Sequence, residues 1–487
     1  MSSFINHLDA TEMAESIKNR EISPHEAVMD SINRIEAENS FLNAVVNKRY
    51  DAAIAESKNV DRTKPFAGVP LLLKDISHSL KGEPITAGSR LLASTKADVT
   101  SHFVSSLKEA GFIIIGHTNA PEFGLKNITE SKLHGAARNP KNHRYSPGGS
   151  SGGAAASVAS GMVPVAAASD GGGSIRIPAS FCGLIGLKPT RGRIAVGPGS
   201  GRQWQGAAID FALTKSIRDT AQLLDSLQTY QKEAAFHTPV FEKGYKQLID
   251  QRGSNKYRIA FSTVSPVGTP VSEDAVSAVK DLALWLERNG HHVEEASPDL
   301  DGKHLMEQYY LMNSGEMAAL RLSLENAIGR PLTHDDMEIE SWVLAEAGLK
   351  TGAGEFSISL SAWDFAAYKM EDFHRQFDLF LTPATSFSAP EVGELTPGAA
   401  KIQELLEVSH LNAKDQQHLI YKMFEPALTY SPFTQLANLT GQPAISLPTG
   451  KTEDDLPIGI QFMASKGNEH LLLDISSEIE EYGLFQP

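Results

Sequence analysis

SPGGSSGGAAASVASGMVPVAAASDGGGSIRIPASFCGLIGLKPTR, residues 146–191, holds glycine and serine at a density that no packed core requires. Glycine lets a ligand approach the main chain closely, and serine supplies hydroxyls. Two serines, Ser150 and Ser174, are each walled by glycines. A hydroxyl beside unencumbered backbone N–H groups is the pattern of a nucleophile with an oxyanion hole. A flexible linker has a similar composition, but the interruption Gly161-Met162-Val163-Pro164-Val165-Ala166-Ala167-Ala168 is too apolar for one. A phosphate loop needs GxxxxGK[ST], and no Lys-Ser or Lys-Thr pair follows these glycines. A dinucleotide fingerprint, GxGxxG, starts at Gly171 and Gly173 but meets Arg176 where its last glycine belongs.

The strongest competitor is a nucleophile elbow. Gly148-Gly149-Ser150-Ser151-Gly152 formally satisfies GxSxG. That motif must leave a buried strand and enter a helix. The alanine-rich run from Ala154 suits the helix side. The strand side fails, because Asn142-His143-Arg144-Tyr145-Ser146-Pro147 is polar and ends in proline. The elbow also needs a late catalytic histidine, and the last one, His470, has no telling context.

The same residues resemble the amidase signature family. Its GGSSGG hallmark is Gly148 to Gly153 here, followed by an alanine-rich helix. Its D-x-G-G-S-I-R-x-P-A segment is Asp170-Gly171-Gly172-Gly173-Ser174-Ile175-Arg176-Ile177-Pro178-Ala179, and Cys182-Gly183-Leu184-Ile185-Gly186-Leu187-Lys188-Pro189-Thr190 follows. Upstream, Gly68-Val69-Pro70-Leu71-Leu72-Leu73-Lys74-Asp75 matches G-V-P-x-x-x-K-D. Thr118-Asn119, Pro121-Glu122-Phe123, Leu381-Thr382-Pro383, residues 439–448 and residues 456–461 complete the set in family order. The resemblance covers nearly the whole chain. It implies a Ser-cisSer-Lys unit, with Ser174 as nucleophile, Ser150 as the bridging serine after a cis peptide bond, and Lys74 as base. It also implies an oxyanion hole at Gly171, Gly172 and Gly173. Ser151 is expected behind the site, and Asp170 and Arg176 as buried supports or substrate contacts. Two departures stand out. Gly171 occupies a position where many relatives carry Thr, and His117 one where they often carry Lys.

These residue types suit the chemistry. A serine hydroxyl is a poor nucleophile until a base takes its proton. Lysine is that base only when neutral, and burial disfavours its charged form. The apolar run Val69-Pro70-Leu71-Leu72-Leu73 reads as a buried strand that carries Lys74 into the core. Ser-Lys variants of the serine-hydrolase plan are a known convergent solution.

The composition agrees with a large globular enzyme. Of 487 residues, 41% are hydrophobic and 7% aromatic, so a large core is feasible. The net charge of −15 offers no footprint for nucleic acid. Cys182 is the one cysteine, so no internal disulfide forms, and its apolar context reads as core. No HExxH is present, and His291-His292 reads as a polar surface pair, so no metal and no cofactor are expected. MSSFINHLDATEM lacks a basic start and an apolar h-region, and no run reaches the ~18 apolar residues of a span, so a cytoplasmic protein off the membrane is expected.

Secondary-structure signals alternate along the chain. Asp9 with Glu12, and Ser23 with Pro24 and Glu26, start two helices. A helix over 101–111 precedes a strand at 112–115, and 162–166 reads as another strand. A helix over 221–228 follows Asp219. Strand 257–261, helix 273–289 and strand 292–295 repeat the rhythm, and strands at 378–381, 444–447 and 458–463 follow. This predicts a single-domain α/β/α sandwich around a large mixed sheet over residues 1–487. The catalytic core is expected at about 60–220 and 430–470, and a variable helical segment at about 300–420 shapes the substrate pocket.

Residues 192–219, including Trp204, resemble the branch of the family that contains the 6-aminohexanoate-cyclic-dimer hydrolases. Trp204 lines the acyl pocket or sits in the core. The expected substrate is a small or medium uncharged amide, linear or cyclic, cleaved by the lone chain or a homodimer. The alternative is the A subunit of glutamyl-tRNA amidotransferase, which has the same catalytic unit but tends to carry Thr at the position of Gly171.

Overall fold

The computed structural model describes residues 7–486. Its first helices begin where side chains replace missing backbone partners. Asp9 and Ser23 each accept the N–H three residues on, while Glu12 and Glu26 reach back to the cap. The resulting helices run Ala10–Lys18 and Pro24–Leu42.

Among the described residues, thirteen strands follow the alternation read from the sequence. They are β1 (Val45–Lys48), β2 (Pro70–Lys74), β3 (Ile113–Thr118), β4 (Glu130–Ser131), β5 (Gly135–Ala136), β6 (Val165–Asp170), β7 (Ile185–Lys188), β8 (Ile209–Thr214), β9 (Arg258–Phe261), β10 (His292–Glu295), β11 (Leu379–Pro383), β12 (Ala444–Lys451) and β13 (Pro457–Ala464). β4 and β5 form a small ribbon. The others form one sheet of 11 strands, ordered β1-β3-β2-β6-β8-β7-β12-β13-β11-β9-β10. Pairing is mixed, parallel for β3-β2-β6 and β11-β9-β10 and antiparallel for the remaining neighbours.

Every residue of β2, β3, β8 and β13 is buried. Successive strand residues face opposite sides, so such burial means that helices cover both faces of the sheet. This is the expected single-domain α/β sandwich. A second apolar cluster lies among the helices Gly302–Ile328, Ile339–Lys350 and Ala413–Tyr430, where Met317, Val343, Leu344 and Ile420 meet.

Three local expectations change. The strand expected at 162–166 starts at Val165, because Pro164 cannot donate to a ladder. The helix expected from 221 starts at Ile217 with Ser216 as cap. Asp219 lies inside it, and its carboxylate accepts from Ala10 N and Thr11 N at 2.8 Å each, tying the first helix down. His291 is not a surface residue. It is buried, stacks on Tyr257 and accepts Tyr257 N–H, while His292 stays exposed.

Candidate active site

β2 and β6 are parallel neighbours, with Leu71 opposite Val165 and Leu72 opposite Ala166. Their carboxyl ends therefore lie side by side, the usual place for a ligand in an open α/β sheet. β2 ends on Lys74, and β6 ends on Ser169 and Asp170. Leu71, Leu72 and Leu73 are fully buried, each stabilising the fold by roughly 1.5–3 kcal/mol. Their burial offsets the cost of drawing Lys74 out of water. Lys74 Nζ donates to Ser150 Oγ at 2.7 Å and to Ser169 Oγ at 2.9 Å. Burial pushes the Lys74 pKa down to about 7, against the pull of Asp210 and Asp170.

The turn before the helix Gly152–Ala159 brings Ser150 to the lysine, and the Gly149–Ser150 peptide bond is cis. No strand leads directly into this turn: residues 137–151 hold only an isolated bridge at Tyr145. Ser151 Oγ donates to Ser169 O at 3.2 Å and so holds the end of β6 from behind. Ser174, half-buried, precedes the helix Arg176–Cys182 and lines the same cavity as Lys74, Ser150 and Ser169. The Lys74–Ser150 contact is formed. Ser150 and Ser174 share no hydrogen bond, and such contacts often tighten only around substrate.

The glycine loop is held by its carbonyls. Asp170 O accepts from Asn438 Nδ2 at 3.0 Å, Gly171 O from Tyr309 Oη at 3.0 Å, and Gly172 O from Thr434 Oγ1 at 2.7 Å. In a trans peptide the C=O and the next N–H point in opposite directions. Anchoring these carbonyls therefore aims the next three N–H groups the other way. Those of Gly171 and Gly172 have no partner among the described residues, and both glycines line the cavity. The N–H of Gly173 is already donated to Asp170 Oδ1 at 2.8 Å, and Gly173 does not line the cavity. The expected hole of three glycines thus has two free donors. Gly173 has φ 125°, and a Cβ there would fall 2.2 Å from Thr434 Oγ1, so only glycine fits.

Asp170 and Arg176 lie beneath this loop, away from the cavity. Their side chains are fully buried and joined at two points, 3.0 and 2.9 Å. Arg176 also donates to Gln461 and Asn438. Burial pushes the Asp170 carboxyl up, but the Arg176 guanidinium holds it below the usual carboxylate range. Both residues support the loop, and neither reaches the cavity.

A further buried chain supports the lysine. Lys74 N–H is accepted by His78 Nδ1 at 3.1 Å, which leaves the ring proton on Nε2, 3.1 Å from Asp210 Oδ1. Asp210 also accepts from Ser77 and Gln203. Ser169, Tyr309, Thr434, Asn438, His78 and Asp210 were not singled out in the sequence. Ser169 neighbours the motif aspartate, and Asn438 immediately precedes the Leu439-Thr440-Gly441 match. The other four carry no local signal.

The cavity has a volume of about 420 Å³. Trp204 lines it with Phe123, Leu125, Tyr310, Phe424 and Leu428. Among the described residues, no group of three His, Cys, Asp or Glu side chains is placed to hold a metal ion. No described helix is long and apolar enough to cross a membrane.

A family model described as Amidase matches residues 26–473. The lipoamidase of Enterococcus faecalis is 38% identical over 472 residues, which are 97% of this chain and 63% of that longer protein. This chain spans less than two-thirds of that relative. The 6-aminohexanoate-cyclic-dimer hydrolase of Pseudomonas sp. (strain NK87) is 35% identical over 479 residues, 97% of this chain and 94% of that one. A solved structure of 6-aminohexanoate cyclic dimer hydrolase complexed with substrate superposes with a TM-score of 0.88 at 34% identity, covering 97% of this chain and 96% of that chain.

Proposed function

This chain belongs to the amidase signature family and hydrolyses amides, and from that premise we propose the parts its residues play. Ser174 is the nucleophile. Neutral Lys74 takes its proton through the Ser150 hydroxyl, and Ser174 Oγ adds to the amide carbonyl carbon. Gly171 and Gly172 donate N–H bonds to the oxyanion. The relay returns the proton to the leaving nitrogen, the C–N bond breaks, and an acyl ester forms on Ser174. Water, deprotonated by the same relay, attacks the ester and releases the acid.

One observation carries this reading. A buried lysine with its pKa near neutrality lies 2.7 Å from a serine that shares a cavity with a second serine beside two free N–H groups. The apolar wall around Trp204 and Phe424 suits a small or medium acyl chain, linear or cyclic. The names of the relatives, a lipoamidase and a cyclic-dimer hydrolase, fit such a substrate. The lone chain is the catalyst, with no nucleotide, metal or partner subunit in the reaction.

A fluorophosphonate tests the assignment. Mass spectrometry should find the label on a peptide containing Ser174, and none in Ser174→Ala. A label on Ser150 that persists in Ser174→Ala would instead make the elbow at 148–152 the nucleophile site.

A further inference from the structure

Four charged side chains line the catalytic cavity: Lys74, Lys126, Arg202 and Glu316. Two have partners. Lys74 is held by Ser150 and Ser169, and Lys126 lies 2.7 Å from Glu338 and 3.7 Å from Glu340. Arg202 and Glu316 form no ion pair with each other or with any other described residue. Glu316 is half-buried and has only a neutral donor, Gln205 Nε2 at 2.7 Å. Withdrawing a carboxylate from water without a cation is costly. Opposite charges that face one cavity without pairing leave room for a ligand that answers both.

Two other observations point to the same place. The helix Gly302–Ile328 presents Tyr309, Asn313 and Glu316 to the cavity, four and three residues apart and hence on one stripe. Asn313 is 4% exposed, and its Oδ1 has no hydrogen-bond partner. It lies three residues before Glu316 on the same stripe of the helix, and an ammonium has three donors to place. Trp204 and Gln205 are consecutive non-glycine residues at φ 48° and 51°. Left-handed backbone at such residues is strained and tends to cluster at ligand sites. This turn holds Gln205 on Glu316 and Trp204 on the cavity wall.

We propose that this end of the cavity binds an amino-acid head group carried by the amide substrate. Glu316 and Asn313 take its ammonium, and Arg202 takes its carboxylate. The inference rests on the amide-hydrolase reading of the site and replaces the uncharged substrate expected from the sequence. Tyr309 touches the glycine loop, and Glu316 lies seven residues further along the helix, about 10 Å away at 1.5 Å per residue. A short alkyl chain between amide and head group spans that distance. Arg202 is exposed, so this end of the cavity faces solvent. The amine product must leave toward solvent before water attacks the acyl-enzyme, which places the head group on the leaving amine.

Four hexanamides test this. Their amine parts are lysine (joined through its side chain), 1,5-diaminopentane, 6-aminohexanoate and pentylamine. They present both charges, an ammonium, a carboxylate and a methyl group on comparable chains. The lysine amide should show kcat/KM about tenfold or more above the pentylamine amide, the range of one charge-assisted hydrogen bond. Glu316→Gln should abolish the advantage conferred by the ammonium, and Arg202→Gln that conferred by the carboxylate. A purely structural role would lower all four rates and keep their ratios, which would overturn the inference. Calorimetric binding to Ser174→Ala reads the same order without turnover. Preferred binding of the lysine amide with no cleavage of any of the four supports the head-group site and breaks the catalytic reading. Equal cleavage and equal binding of all four overturn the head-group site and leave the catalytic reading intact.

Discussion

Residues 146–191 and the helices Gly302–Ile328 and Ala353–His374 contribute to one molecule by opposite means. In the first region nearly every residue is buried, and the main chain itself carries the proposed oxyanion donors. Its carbonyls are anchored, two of its N–H groups are free, and its glycines are dictated by neighbours. In the second, regular helices bury one side, with Met312, Met317, Trp363 and Met370, and leave Leu322, Ile358, Phe365 and Tyr368 exposed. The proposed head-group contacts there rest on a few side chains that project from a scaffold. A wall of side chains can change one residue at a time, whereas a loop whose backbone is the working part cannot. Substitutions in the first region should therefore damage turnover or folding, and those in the second should adjust them.

The largest break is expected at the relay. Ser174→Ala and Lys74→Ala should each lower kcat by about 10⁴-fold or more, with little change in KM. Lys74→Arg should not rescue, because guanidinium keeps its proton in a protein. The sign of the pH effect follows from the lowered lysine pKa. Below about 7 Lys74 is charged and cannot accept a proton, so kcat/KM should rise through about pH 7 and level off above it. A profile that stays flat through neutrality would remove the base role.

Arg176→Met should be nearly as damaging, but to folding. It leaves Asp170 charged and buried without its partner, at a cost of about 3–5 kcal/mol, readable by urea denaturation. Unchanged stability would mean that the pair contributes little beneath the loop.

A paired substitution then sharpens the contrast within the loop. Gly173→Ala meets Thr434 and should cost about 10²-fold in kcat by displacing the neighbouring donors. Gly171→Ala meets only Ala208 Cβ, at 3.5 Å, and should stay within a few-fold. Equal losses at the two positions would show that flexibility, not packing, governs the loop.

A comparably small effect is expected where the second region touches the first. Tyr309→Phe removes one hydrogen bond to Gly171 O and should lower kcat about threefold to tenfold, with KM moving less. A loss as large as that of Ser174→Ala would make Tyr309 part of the reaction rather than an anchor.

Legibility followed the same division. Lys74, Ser150, Ser174 and the glycines could be singled out because their residue types occur in short motifs, and the structure brings all of them but Gly173 to one cavity. Asp170 and Arg176 were legible as buried supports or substrate contacts, and the structure makes them supports, but their pairing with each other was not legible. Asp219 was expected just before its helix and instead lies inside it, where it accepts from the start of a helix over 200 positions earlier, Ala10 being 209 residues away. His291 looked solvated beside His292, yet strand pairing and the stack on Tyr257 bury it.

By itself the sequence determined the alternation of strands and helices, the family motifs and the candidates for the reactive groups, because each is written within a few neighbouring residues. Only the tertiary structure decided which N–H groups are free, what anchors the glycine loop, and which charges in the cavity lack a partner. Tyr309 reaches Gly171 across 138 positions, Thr434 reaches Gly172 across 262, and Asn438 reaches Asp170 across 268. A hydrogen bond between such distant residues leaves no periodicity or motif behind it. It exists only once the apolar faces of sheet and helices have packed, and that packing sets its geometry.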